Sequence, residues 1–134
     1  MAQDITEKKI LELENKRTAV LLEQSQRLAK MGAWELDPQT GRTFWTDEVY
    51  TIHEVGKKFD HNKEKSIEFY HPDYRSVISN AVAEAVEMQQ PFDVTCKLIT
   101  AKNNLLWVRT SGYPIVKEGK VTLIMGMIKD ITQE

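Results

Sequence analysis

Apolar residues recur along this chain at two different spacings, and the switch between them marks its organisation. From Asp4 to Lys30 there is no Gly or Pro, and Glu, Lys, Leu and Gln predominate. Such residues lose little side-chain freedom in a helix. Ile10, Leu13, Val20, Leu21, Leu28 and Met31 form an apolar stripe at helical spacing, interrupted at its seam by Arg17 and Gln24. Asp4 has the place of an N-cap with Glu7 at the third helical position, and Gly32 is the expected end. A helix of about 27 residues reaches about 40 Å at a rise of about 1.5 Å per residue. That is longer than a small domain needs to cover its own core. The stripe therefore either pairs with a second subunit through Leu13, Val20, Leu21 and Leu28 or folds back on its own sheet.

From Ala33 the spacing shortens to alternation. "AWELDPQTGRTFWT" reads as a β-hairpin around the turn "DPQTG". "DEVYTIHEV" reads as a short helix capped by Asp47, with Val49, Ile52 and Val55 on one face and His53 toward solvent. "GKKFDHNKEK" is polar around the single anchor Phe59, and His61 has no evident role there. "HPDYRSVISNAVAEAVEMQQ" predicts a longer helix with Tyr74, Ile78, Ala81, Val82 and Ala85 on one face, ended by Pro91. Three strand-like segments follow: "FDVTCKLIT", "LLWVRTSGYPIV" and "VTLIMGMIKDI". This order predicts an N-terminal helix over residues 1–27 and an α+β domain with an antiparallel sheet over 28–134. In the last strand Val121, Leu123, Met125 and Met127 alternate with Thr122, Ile124, Gly126 and Ile128, so both faces are largely apolar. One face must meet the helices, and the other needs a further cover.

Composition narrows the function. The chain has 134 residues, 41% hydrophobic and 28% charged, with a formal net charge of −2. That balance argues against nucleic-acid binding through phosphate attraction. One cysteine, Cys96, excludes an internal disulfide and a cysteine-rich metal cluster. No apolar run approaches the ~18 residues of a membrane span. The expectation is a cytoplasmic domain without direct membrane insertion, whatever anchor a parent protein carries. No Ser/His/Asp or Cys/His arrangement, phosphate-cradling Gly loop or metal-spaced His/Glu cluster stands out, so no catalytic residue is assigned.

Several short motifs occur together in order. They are Trp34, Asp37, Thr40-Gly41, Trp45-Thr46 and Tyr50-Thr51-Ile52, then His71-Pro72-Asp73, then "LWVRTSGYP" with Trp107 and Pro114, and last Gly126 with Asp130-Ile131-Thr132. Over about residues 28–133 the chain resembles a PAS domain of the branch with tryptophans in the first hairpin. Glu54 stands near the place where that family carries a Gly. The resemblance implies a five-stranded antiparallel sheet with helices on one face. It implies a sensory and dimerisation module of a prokaryotic signalling protein, such as a sensor histidine kinase of a two-component system or a cyclic-dinucleotide protein. Asp130 and Thr132 would then relay the state of the sheet to a downstream output domain, and the chain would be a piece of a longer protein.

The alternative is a receptor domain with a definite ligand such as haem, flavin or an organic acid. A pocket would lie between the helix face of Ile78 and Val82 and the inner sheet, with Phe69, Val94, Cys96, Trp107 and Met125 as further lining residues. Trp34, Trp45 and Trp107 are the aromatics for a wall against a planar ligand. His71, beside Pro72 at a helix start, is expected to cap or pack at the surface rather than bind haem. Cys96 lies outside any "NCR" motif of the flavin-binding branch and reads as a small buried hydrophobe. No tightly bound cofactor is therefore expected.

Overall fold

The computed structural model describes residues 2–134, with side chains described from Thr6 onward. The Asp4 cap lies outside those side chains. Five strands, β1 (Met31–Leu36), β2 (Thr43–Trp45), β3 (Phe92–Ile99), β4 (Leu105–Lys117) and β5 (Lys120–Asp130), form one sheet in the order β2-β1-β5-β4-β3. Every pairing is antiparallel. Helices α2 (Asp47–His53), α3 (Lys63–Glu68) and α4 (Arg75–Glu87) cover one face of it. This is the expected α+β architecture.

The first helix, α1 (Ala2–Ala29), leaves that body. Leu13, Val20, Leu21 and Leu28 are all exposed, so α1 does not lie on its own sheet. The helix ends before Gly32, because Lys30 takes the left-handed conformation at φ 54°. Gly32 instead belongs to β1, where a Cβ would sit 2.7 Å from the Val49 backbone nitrogen. Its bare backbone lets the start of α2 rest directly on the strand.

The hairpin turn follows its sequence. Asp37 Oδ1 accepts from the backbone N–H of Gln39 at 2.9 Å, and Gly41 closes the turn at φ 77°. Asp47 does not cap α2. Thr46 occupies the N-cap position and its hydroxyl accepts from Ala33 N–H at 2.9 Å, while Asp47 pairs with Lys57 at 3.1 Å. His53 is buried at 3% exposure, correcting the solvent-facing expectation. It completes the face of Val49 and Ile52 at the fourth position after Val49. The segment read as a plain polar loop runs at its end into α3, whose N-cap Asn62 accepts from Lys65 N–H at 2.8 Å. His71 caps the short 3-10 turn Pro72–Tyr74 by accepting from Asp73 N–H at 3.1 Å, and α4 begins only after it.

Glu54 ends α2 at φ 59° and ψ 42°, a conformation that favours Gly. Its carboxylate accepts from Thr100 Oγ1 at 2.7 Å and from Asn104 Nδ2, and Ala101 N–H donates to His53 O at 3.0 Å. These bonds fasten α2 to the β3–β4 turn. Both Glu54→Ala and Glu54→Gly lose the tether, but Glu54→Ala keeps the backbone strain and Glu54→Gly relieves it. The Ala variant should therefore show the lower Tm; equal melting of the two would mean that the strain is negligible.

The sheet has two unlike faces. Cys96, Leu98, Val108, Ile124 and Ile128 point to the helices and are fully or almost fully buried. A register shift between Ile115 and Val116 also turns Val121 inward, against the simple alternation. On the outer face Leu123, Met125 and Met127 line the centre, beside Ala33 and Tyr113, while Asp93, Lys97 and Arg109 keep the β3 edge polar.

Candidate functional site

Two arrangements stand out: a cavity under the helices and a junction where both ends of the domain meet. The cavity measures about 70 Å³ and lies between α2, α3, α4 and the inner sheet. Carbon dominates its lining, with Leu36, Val49, Ile67, Ile78, Val82 and Ile128 contributing. Ile78 and Val82 line it. Cys96 is buried in the adjoining core, with Val94 and Phe69 packed against that core, and none of the three lines the cavity. Trp107 and Met125 are corrected outright: their strand positions face the opposite side of the sheet. Sequence alternation leaves open which face of each strand meets the helices, so it does not exclude these two residues from the cavity.

Trp34 and Trp45 supply the aromatic part of the wall. Trp34 pairs with Gly126 across β1 and β5, and Gly126 pairs in turn with Gly112 of β4. The indole lies over these two glycines, so the floor is flat only because neither carries a Cβ. Trp34 Nε1 is buried and has no hydrogen-bond partner among the described residues. Beside the floor Tyr70 and Thr110 share a hydrogen bond of 2.8 Å between their hydroxyls. Burial pushes the Tyr70 phenol far above its ordinary range, opposed by that bond.

Trp45 stands between two imidazoles. His61 stacks on it at 4.0 Å and 5° between planes, and His53 at 4.5 Å and 22°. His53 Nδ1 lies 2.7 Å from the Val49 carbonyl oxygen and so carries the proton it donates. Burial lowers the His53 pKa to about 4, opposed by that bond and reinforced by nearby His61. His61 bridges the hydroxyls of Thr43 at 2.5 Å and Tyr50 at 2.9 Å, and burial also lowers its pKa, opposed by Asp60. Sequence reasoning missed both histidines. The position of His53 four residues after Val49 was the available signal, whereas nothing local announces the stacking of His61. Among the described residues no three His, Cys, Asp or Glu side chains gather as a metal site.

The junction joins the end of α1 to the end of β5. Asp130 N–H donates to Lys30 O at 2.9 Å. Asp130 Oδ1 accepts from Thr132 N–H at 3.0 Å and from Thr132 Oγ1 at 2.6 Å. Thr132 Oγ1 in turn accepts from Trp107 N–H at 3.1 Å, and Ile131 N–H donates to Trp107 O at 2.9 Å. These bonds tie the exit of β5 to the end of α1 and to β4.

Comparison with known proteins agrees with this fold. Sensor protein FixL of Bradyrhizobium diazoefficiens is 26% identical over 105 residues, which cover 78% of this chain and 21% of the relative. The chain thus spans about a fifth of that protein's length. The sensory box histidine kinase/response regulator from Burkholderia thailandensis superimposes with a TM-score of 0.65 at 21% identity, covering 83% of this chain and 84% of that one. The N-terminal domain of a diguanylate cyclase with PAS/PAC sensor from Marinobacter aquaeolei gives 0.71 at 14% identity, covering 76% and 95%. No helix of this chain, among the described residues, is long and apolar enough to cross a membrane. The family model of the PAS fold matches residues 42–128, from the second hairpin strand to the last buried residue of β5, and the chain belongs to that family.

Proposed function

We propose that this chain is a sensory and dimerisation module of a prokaryotic signal-transduction protein. It passes the state of its sheet through Asp130 and Thr132 to a downstream output domain, and it is cytoplasmic and not itself an enzyme. The observation that carries this reading is the junction, where one hydrogen-bond chain links Lys30, Asp130, Thr132 and Trp107. A histidine kinase or a cyclic-dinucleotide enzyme is the output that the relatives favour.

Dimerisation follows from surface that the fold leaves bare. Leu13, Val20 and Leu21 are each more than half exposed on α1, and the outer sheet centre is apolar at Leu123, Met125 and Met127. Apolar stripes of this length seek cover. Two copies pairing α1 against α1, with the sheet centres behind, bury both surfaces. Sedimentation velocity should show a dimer for the chain and a monomer of unchanged Tm for the Leu13→Glu, Val20→Glu, Leu21→Glu triple variant. A wild-type monomer, or a variant still dimeric, removes α1 pairing from the proposal.

A receptor role is the second reading, and the apolar cavity under the helices favours it. At about 70 Å³ it is about half the volume of a cavity that holds benzene. Haem or flavin far exceeds it, so any ligand of this cavity as it stands is small.

A further inference from the structure

We infer that α3 is a lid over the cavity, pinned at its C-terminal end and latched at its N-terminal end by His61. The lid governs access from solvent to the cavity, whatever enters there and whatever the junction transmits.

Open space lies on two sides of this helix. Lys63, Ser66 and Ile67 line the cavity, while Lys65 and Glu68 line a groove open to solvent that they share with Phe59, Phe69 and Ile99. None of the residues of α3 is fully buried, so little apolar contact holds it down. Its two ends are fastened differently. At the C-terminal end Ile99 N–H donates to Phe69 O at 2.8 Å and His71 N–H to Lys97 O at 3.0 Å, which joins the chain to β3. Arg75 clamps the same end, donating from Nη2 to Glu68 O and from Nε to Tyr70 O, each at 3.1 Å. Phe59 rests edge-on against Phe69 at 5.7 Å and so stays with this end. The N-terminal end is held to the hairpin. Lys63 N–H donates to Gly41 O at 2.9 Å, and His61 bridges Thr43 and Tyr50 while stacking on Trp45. The first end is anchored on backbone carbonyls throughout, the second chiefly on one imidazole. Gly56, Lys57 and Lys58 are exposed just upstream and give the slack for the second end to lift. Thr43 and Trp45 form the facing wall of the cavity, so that movement parts the wall at Lys63 and Ser66.

Thiol labelling of the intact chain tests the lid. Val82→Cys places a thiol in the cavity wall on α4, whereas native Cys96 is fully buried and lies outside the cavity. Iodoacetamide is the probe, and peptide mass spectrometry reads each thiol separately. The thiol at position 82 should react roughly tenfold or more faster than Cys96, because it needs only the local opening. A disulfide can hold the lid shut for comparison. A Cβ at Gly41 would lie 3.9 Å from Lys63 Cβ, within the range of about 3.5–4.5 Å that a disulfide spans. In the oxidised Gly41→Cys, Lys63→Cys, Val82→Cys chain the two rates should become equal. Gly41 has φ 77°, where a side chain is strained, so His61→Ala is the arm that needs no disulfide. It should speed labelling at position 82 by about tenfold while the chain stays folded by circular dichroism. Equal rates in the unlocked chain overturn the lid, since the cavity would then open only when the whole domain unfolds. A fast rate at position 82 that survives oxidation overturns it too, by showing another way in. An unchanged rate in His61→Ala overturns the latch. These rates involve neither a ligand nor an output domain, so failure here is distinct from failure of the receptor or the relay.

Discussion

Gly126→Ala should lower the unfolding free energy by about 3 kcal/mol or more, among the largest single-residue effects in the domain. A Cβ at this position would penetrate both the Ser111 carbonyl oxygen and the Trp34 indole. Ser111 is backbone of the neighbouring strand and cannot withdraw without breaking the β4–β5 ladder. The indole is trapped above, stacked at 6.2 Å on Phe92. Gly112→Ala is milder, because its Cβ meets only side-chain atoms, the half-buried Phe92 ring at 2.7 Å and the Trp34 indole at 3.0 Å, and no backbone. Gly56→Ala is the control, since nothing lies within 4 Å of its Cβ. Denaturant unfolding of the three variants should rank them 126, 112, 56 in destabilisation. A Gly126→Ala midpoint close to wild type would show that the indole does not rest on this strand as described.

The second large effect is a loss of stability in mild acid that belongs to His53. Its pKa in the fold is about 4, against an ordinary 6.5 in the unfolded chain. Between those values the unfolded state takes up a proton that the folded state refuses. The contribution is therefore complete above pH 6.5 and is lost as pH falls through about 4. By pH 4 the loss amounts to about 3 kcal/mol. His61, also lowered by burial, adds in the same direction. Asp37, Glu54 and Asp93 are lowered as well, but they act below the ordinary carboxylate range, and Glu48, raised by burial, opposes them. Comparison with His53→Phe cancels these groups and retains a ring against Trp45. Urea unfolding from pH 7.5 to 4 should show wild type losing about one proton's worth of slope more than the variant. Parallel curves would contradict the burial of a neutral imidazole.

Much of the fold was legible because its elements obey one local rule each. The α1 stripe, the Asp37 turn, the Ile78–Val82 face and the three closing strands all follow from periodicity and turn chemistry. Three features depend on tertiary facts that no local pattern carries. The bulge at Ile115 and Val116 reverses the face of Val121. Trp107 and Met125 lie on the outer face, which strand alternation cannot tell from the core face because it is symmetric between the two. His61 gains its place from stacking on Trp45, whose partner positions lie 16 residues apart in a loop rich in charge. The α3 helix escaped notice because it has no fully buried residue, so it carries no strong apolar period.

The central claim is that the junction transmits, and Asp130→Ala with the natural output domain restored tests it most directly. The carboxylate caps Thr132 at an exposed site, where such a bond is worth about 0.5–2 kcal/mol. A domain of ordinary stability survives that loss. A two-state junction does not, because a similar energy moves its balance several-fold. The relay predicts an output changed several-fold, with Tm lowered by only a few degrees. Output at wild-type level with and without stimulus, beside the same small change in Tm, would make Asp130 a strand end and nothing more.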